Sequence, residues 1–255
     1  MSQPTERFSS RVANYIKYRP GYPAEILDLL RTDCGLTPQS VIADIGSGTG
    51  KLTELLVRNG NQVFGIEPND AMRQAGEDLL RGYPRFHSVA GSAEDTTLPA
   101  NSVDIVTAGQ AFHWFDPYKA RVECCRILKA SGWAVLIWND RKLETTPFLN
   151  DYEQFLQDFG TDYNEIRNDK SVQTIKEFFA PEKINFASFP NHQLFDYDGL
   201  RGRVLSSSYT PEPDHPNFEP MLRRLEELFQ KHAQDGLVKF DYETKVYFGH
   251  LSLAG

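Results

Sequence analysis

The segment Asp44-Ile45-Gly46-Ser47-Gly48-Thr49-Gly50 carries the first chemical signal in this chain. Glycines lack a β-carbon, so the backbone there can close on a ligand, and the segment lies where an apolar β-branched run hands over to a helical pattern. Glu67 follows 23 residues after Asp44, a position from which a carboxylate can accept hydrogen bonds from a ribose diol. Together these residues predict an adenosine-containing cofactor. The dinucleotide fingerprint sets two residues between its second and third glycines, whereas Thr49 alone separates Gly48 from Gly50, so the spacing disfavours a nicotinamide cofactor.

A second signal is Gln110-Ala111-Phe112-His113-Trp114-Phe115. His113 is the titratable candidate there, because a free imidazole titrates at about pH 6.5 and can take a proton near neutrality; a structural histidine beside Trp114 is the alternative. Tyr15 and Tyr18-Arg19-Pro20 form a third group, in which the rings could wall a ligand and Arg19 could pair with a carboxylate, although aromatic residues also fill cores. The other five histidines form no HExxH or clustered pattern, and no metal is expected. Cys34, Cys124 and Cys125 have neither metal-finger nor disulfide-framework spacing and read as buried filler.

The elements that must position these groups alternate regularly from residue 41, which is an α/β pattern. Val41–Ile45, Gln62–Ile66, Phe86–Val89, Val103–Ala108 and Trp133–Trp138 read as strands one to five. Leu52, Leu55 and Leu56 mark a helix that Asn59-Gly60 stops; Asn69 caps another through Leu80, and Asp116-Pro117 starts a third. After residue 140 the pattern turns Phe-rich and helical, which predicts an insertion over 140–190. Gln193–Tyr197 is a possible sixth strand, Pro220 with Leu222, Leu225 and Phe229 a helix, and Val238 to Phe248 a long alternating strand.

With 255 residues the chain suits one domain carrying an insertion rather than two equal domains. Its net charge of −8 disfavours nucleic acid, while residues 1–20 hold four basic side chains and one acid, an arm of +3 suited to an anionic ligand. The longest apolar run, Trp133–Trp138, is too short to span a bilayer, and the first twenty residues have no apolar signal core, so a cytoplasmic protein is expected.

Beyond these readings, the sequence resembles the class I S-adenosylmethionine-dependent methyltransferases, specifically the type 11 small-molecule kind related to trans-aconitate methyltransferases. The resemblance rests on Asp44–Gly50, Glu67-Pro68, Gly91-Ser92-Ala93-Glu94 and Leu98-Pro99 through Asp104, with Gln110–Phe115 and the tyrosines near the N terminus as narrower marks. It implies a Rossmann-like, mostly parallel seven-stranded sheet of order 3-2-1-4-5-7-6, with strand seven antiparallel, helices on both faces and a helical lid. One methyltransferase domain would cover 1–255, with residues 1–22 as an arm over the cofactor and 140–190 on the acceptor side.

Carried over by residue, the resemblance implies that Asp44, Gly46, Ser47 and Gly48 serve the methionyl part of S-adenosylmethionine, Glu67 the ribose, and Pro68, Ala93 and Glu94 the adenine. Gln110 and Phe112 would lie beside the cofactor, with Tyr18 and Arg19 closing over it. Tyr15, His113 and Trp114 would face a small-molecule acceptor, a carboxylic acid among the candidates, with His113 as the catalytic base. The Asn/Asp-Pro-Pro-aromatic tetrad of N6-adenine methyltransferases is absent, which weakens a nucleobase acceptor. An NAD(P)-dependent oxidoreductase and a non-catalytic S-adenosylmethionine-binding protein remain as alternatives.

Overall fold

A computed structural model of the protein describes residues 17–161, 163, 171–207 and 209–253. Its elements, in chain order, are α1 (Glu25–Asp33), β1 (Val41–Ile45), α2 (Lys51–Arg58), β2 (Gln62–Ile66), α3 (Asp70–Leu80), β3 (Phe86–Val89) and β4 (Val103–Gly109). A short 3-10 turn at Phe112–Trp114 precedes α4 (Pro117–Ile127), β5 (Leu128–Arg141), α5 (Pro147–Phe159), α6 (Ser171–Phe179), β6 (Asn185–Phe195), α7 (Tyr197–Leu205), α8 (Phe218–His232) and β7 (Val238–Gly249).

The seven strands form one sheet of order β3-β2-β1-β4-β5-β7-β6, as the resemblance implies. The β1–β2, β2–β3, β1–β4 and β4–β5 pairs are parallel. Period-two alternation sorts the strand side chains onto two faces. Ala43, Ile45, Val106, Ala108, Leu136 and Trp138 join one core cluster, which α4 and α6 complete with Cys124, Ile127, Phe178 and Phe179. Their neighbours Ile42, Ile105, Val135 and Ile137 join another, filled by Leu29 and Leu30 of α1, Leu52 and Leu56 of α2, and Leu80 of α3. A sheet apolar on both faces must be covered on both, which is why its inner strands read as continuous apolar runs.

The described residues divide into two compact units, one comprising 21–139, 171–189 and 244–253 and the other 17–20, 140–161, 163, 190–207 and 209–243. The first holds the strand ends just described. The second has its own core, in which Phe240 meets the rings of Phe148, Tyr152 and Phe195 at 5.1, 4.8 and 5.5 Å, with Leu200, Val204, Met221 and Leu225 around them.

Several boundaries differ from the sequence reading. The described residues of the expected 140–190 insertion fall into both units: α5 joins the second unit, whereas α6 packs Ile175, Phe178 and Phe179 into the sheet core. Strand five runs through Gly132 and spans 14 residues rather than six. The sixth strand starts at Asn185, with a half-exposed alternation along nearly its whole length. Tyr197, expected at the end of that strand, instead opens α7, which Asp196 caps by accepting from the Gly199 N–H.

Candidate active site

Asp44, one residue before the end of β1, is only 1% exposed, and both its oxygens are taken: Thr53 Oγ1 donates to one at 2.6 Å and Thr107 Oγ1 to the other at 2.9 Å. The carboxylate therefore ties β1 to α2 and β4. Burial pushes its pKa from 3.8 up to about 6, against the two hydroxyl donors and helped by the nearby Glu67 charge. A group protonated more readily in the folded state stabilises it below pH 4, and this contribution is lost as the pH rises through 6. Asp44→Asn, which cannot ionise, should escape that loss. The stability difference between variant and native chain is expected to shift in the variant's favour by about 2 kcal/mol between pH 4 and pH 8. Urea unfolding at stepped pH measures it, and parallel curves would refute the assignment.

The glycine loop turns on three left-handed residues, Gly46 at φ +67°, Gly48 at φ +56° and Gly50 at φ +85°. The Gly46 and Ser47 N–H groups both donate to the Ile66 carbonyl, at 2.9 and 3.1 Å, which holds the loop on β2. Glu67 supplies the other hold. Its Oε2 accepts from the Gly48 N–H and its Oε1 from the Asn69 N–H, each at 2.9 Å, while Arg73 donates to its backbone carbonyl. The residue is 8% exposed; burial raises its pKa, opposed by those two N–H donors and by Arg73. One acceptor position on each oxygen is left over, since an ionised carboxylate offers about four.

Sequence reasoning missed two glycines that let this loop lie where it does. A β-carbon on Gly65 of β2 would come within 3.1 Å of Ser47 Oγ, and one on Gly76 of α3 within 3.2 Å of the Gly48 carbonyl. The signal was available, because a glycine inside a strand or helix marks a close backbone approach.

Beyond β3, Ala93 is buried and Glu94 accepts from the Asp116 N–H at 2.8 Å, joining that loop to the cap of α4; Pro68 is exposed. Gln110, just past β4, sits at φ +57°, a left-handed conformation that costs a non-glycine residue of the order of 1–2 kcal/mol. Its N–H donates to the Ile137 carbonyl and its Nε2 to the Asn139 carbonyl, holding it in place. Tyr22 Oη occupies the space a β-carbon on Gly109 would need. Phe112 is committed to the core between Phe115, Trp138 and Phe178, whereas His113 is exposed beside Trp114, itself 48% exposed, with ring centroids 4.9 Å apart.

These residues gather at the carboxyl ends of β1, β2, β3 and β4, where the strand order reverses between β1 and β4 and open α/β sheets bind ligands. Tyr18 and Arg19 belong to the other unit: the Tyr18 ring lies on Gly202 of α7, and Arg19 donates to the Ser206 carbonyl at 3.2 Å. Tyr15 lies outside the described residues. Among the described residues no group of three or more His, Cys, Asp or Glu is placed to hold a metal ion, and no helix is long and apolar enough to cross a membrane.

Residues 43–136 match the family described as a methyltransferase domain, a span running from β1 into β5. The chain is 39% identical over 135 residues to an uncharacterized methyltransferase of Mycobacterium tuberculosis, 52% of each protein. Over residues 43–136 the chain is thus similar to the S-adenosylmethionine-dependent methyltransferases. A methyltransferase-like protein of Schizosaccharomyces pombe, also uncharacterized, is 26% identical across 94% of this chain and 93% of its own length. The fold is similar to that of a candidate type II methyltransferase from Anaeromyxobacter dehalogenans, with TM-score 0.67 at 19% identity, covering 91% of this chain and 98% of that one. The match to the mycobacterial methyltransferase thus spans about half of that protein's length.

The methyltransferase cofactor fits the residues present. Among the described residues a β-carbon on Gly48 would meet only the flexible end of Met72, at 3.4 Å, and the Gly46 carbonyl, at 4.0 Å, which leaves space for a ligand beside this backbone. Glu67 keeps acceptor capacity for a diol after holding the loop.

Proposed function

We propose that the chain transfers the methyl group of S-adenosylmethionine to a small-molecule acceptor in the cytoplasm, with carboxylic acids as the first class to test. The observation that carries this reading is the Glu67 carboxylate, which holds the glycine loop through Gly48 and retains acceptors for a ribose. In this reading Gly46, Ser47 and Gly48 bind the methionyl part, Pro68, Ala93 and Glu94 frame the adenine, and Gln110 and Phe112 back the cofactor. Asp44 holds the strand ends that carry them. Tyr18 and Arg19, with the arm of residues 1–22, and the acceptor-side segment drawn from 140–190 act on recognition.

Bound S-adenosylmethionine supplies a methyl group on a positive sulfonium, which becomes neutral on transfer. The chain's task is alignment and exclusion of water, because an in-line displacement gains most from fixed geometry. The aromatic rings of Tyr15 and Trp114 suit a developing acceptor, and His113 holds or takes its proton. Calorimetry with S-adenosylhomocysteine, with NADH as the control, tests the cofactor. Turnover of labelled methyl across carboxylic acids, amines and alcohols tests the transfer and separates an enzyme from a binding protein.

His113→Gln reads the acceptor chemistry. A carboxylate acceptor is already ionised near pH 7, so the variant should keep most of kcat and raise the acceptor KM about 3- to 10-fold, the worth of one hydrogen bond. A fall in kcat of about 10²–10⁴-fold, with loss of a titration from the pH–rate profile, would instead identify a hydroxyl or amine. If neither constant changes for a verified acceptor, His113 is structural.

A further inference from the structure

Gln110 is held in a conformation that its own side chain does nothing to favour. At φ +57° its backbone is left-handed, a region that glycine adopts freely and that asparagine and aspartate reach with the help of a short polar side chain; glutamine has neither advantage. Such a residue persists only where its surroundings over-determine it, and strain of this kind gathers at functional sites. The β4–β5 ladder ends at Gly109 and Ile137. Past that point Gln110 still binds β5 twice, its N–H donating to the Ile137 carbonyl at 2.9 Å and its Nε2 to the Asn139 carbonyl at 3.1 Å.

The second of these acceptors is fixed by the Asn139 side chain. Asn139 is 7% exposed and uses both ends of its amide: Oδ1 accepts from Thr244 Oγ1 at 2.5 Å, and Nδ2 donates to the Gly21 carbonyl at 3.1 Å. A carbonyl can only accept, so Gly21 decides which end of the amide is the donor and leaves Oδ1 to the hydroxyl of Thr244, itself fully buried. The hold on Gly21 also reaches β4, because the next residue, Tyr22, puts its hydroxyl where a β-carbon on Gly109 would lie. One buried asparagine thus sets the turn after β4 from two directions, through its own carbonyl on Gln110 and through Tyr22 on Gly109.

We infer that Asn139 is a positioning residue for cofactor binding: with Thr244 it holds Gln110 in the left-handed turn that shapes the crevice at the end of β4. Asn139 acts through Gln110 and needs no contact of its own with the ligand. The inference rests on the methyl-transfer reading in one respect, that Gln110 lies beside S-adenosylmethionine.

A double-mutant cycle on the full chain tests it, read by calorimetry with S-adenosylhomocysteine and by thermal unfolding. Asn139→Ala should weaken S-adenosylhomocysteine binding about 3- to 10-fold, the worth of one neutral hydrogen bond passed on to the turn. Gln110→Ala keeps the strained backbone and loses the Nε2 bond, so it should weaken binding by a similar factor. Gln110→Gly, for which a left-handed backbone carries no steric cost, should bind more tightly than Gln110→Ala. In the Gln110→Gly chain the further change Asn139→Ala should then alter binding less than about twofold, although it lowers Tm in both chains.

Should Asn139→Ala fail to fold, Thr244→Val, which keeps the side-chain shape and removes the hydroxyl, enters the same cycle with the same expected pattern. An equal loss of binding in both backgrounds, or a lower Tm with no loss of binding, would make Asn139 a packing residue and overturn the inference. Equal affinities for Gln110→Ala and Gln110→Gly would overturn it as well. A native chain that does not bind S-adenosylhomocysteine refutes the methyl-transfer reading together with this one, whereas native binding with an additive cycle refutes the role of Asn139 alone. The expected coupling without any turnover of labelled methyl refutes the transfer and leaves the positioning role standing.

Discussion

Glu67→Ala is expected to weaken S-adenosylhomocysteine binding by about 10- to 150-fold, the loss of a charge-assisted hydrogen bond worth about 1.5–3 kcal/mol. The change also frees the Gly48 and Asn69 N–H groups from their acceptor, so the loop loses a tether at the same time. Global stability should move less, because removing a buried carboxylate relieves the desolvation that raises its pKa. Glu67→Gln should fall between, since its amide can accept from only one of the two N–H groups and turns a donor toward the other. Calorimetry beside circular dichroism checks both variants. A dissociation constant unchanged in Glu67→Ala would remove the ribose assignment.

The largest contrast is expected between two glycines of one loop that share the same left-handed backbone. A β-carbon on Gly46 would stand 2.5 Å from Ala111 Cβ, within the protein's own packing. Gly46→Ala should therefore cost about 2–5 kcal/mol of stability, from left-handed strain plus overpacking. At Gly48 the nearest atom is Met72 Cε at 3.4 Å, so Gly48→Ala should cost only the strain, about 1–2 kcal/mol. Gly48→Val should stay folded yet lose measurable S-adenosylhomocysteine binding, because its branches enter ligand space. Denaturant unfolding and calorimetry on the three variants check this order. If Gly48→Val unfolds, the loop is structural before it is a cradle.

Strands β1, β2 and β4 were legible because each is a short run with β-branched residues between turn residues, and their helices because caps such as Asn69 and Asp116-Pro117 announce them. The strand order came from family resemblance, since periodicity carries no information about which strands neighbour each other. α7 was hidden: Gly199 and Gly202 interrupt its apolar spacing, and Gly202 is explained only by the Tyr18 ring that lies on it, from far along the chain. β6 was read only at its end because its alternation stays half-exposed. At the site, the 23-residue spacing picked out Glu67, but its two N–H partners depend on how the loop folds back. Asp44 was expected to serve the cofactor, and only the folded chain brings Thr53 and Thr107 to its two oxygens.

The position of β7 sets an order of events during synthesis. It is the last strand made, yet in the sheet it lies between β5 and β6. β1 to β5 can pair as they emerge, but one margin of β5, with its apolar run Trp133–Trp138, stays unpaired until Val238–Gly249 arrives. β6 waits for the same strand. For about a hundred residues of synthesis the nascent chain therefore presents an open apolar edge of the kind that recruits other chains. Its safe passage depends on the speed with which the final strand closes that gap, a demand on the cell rather than on the finished fold.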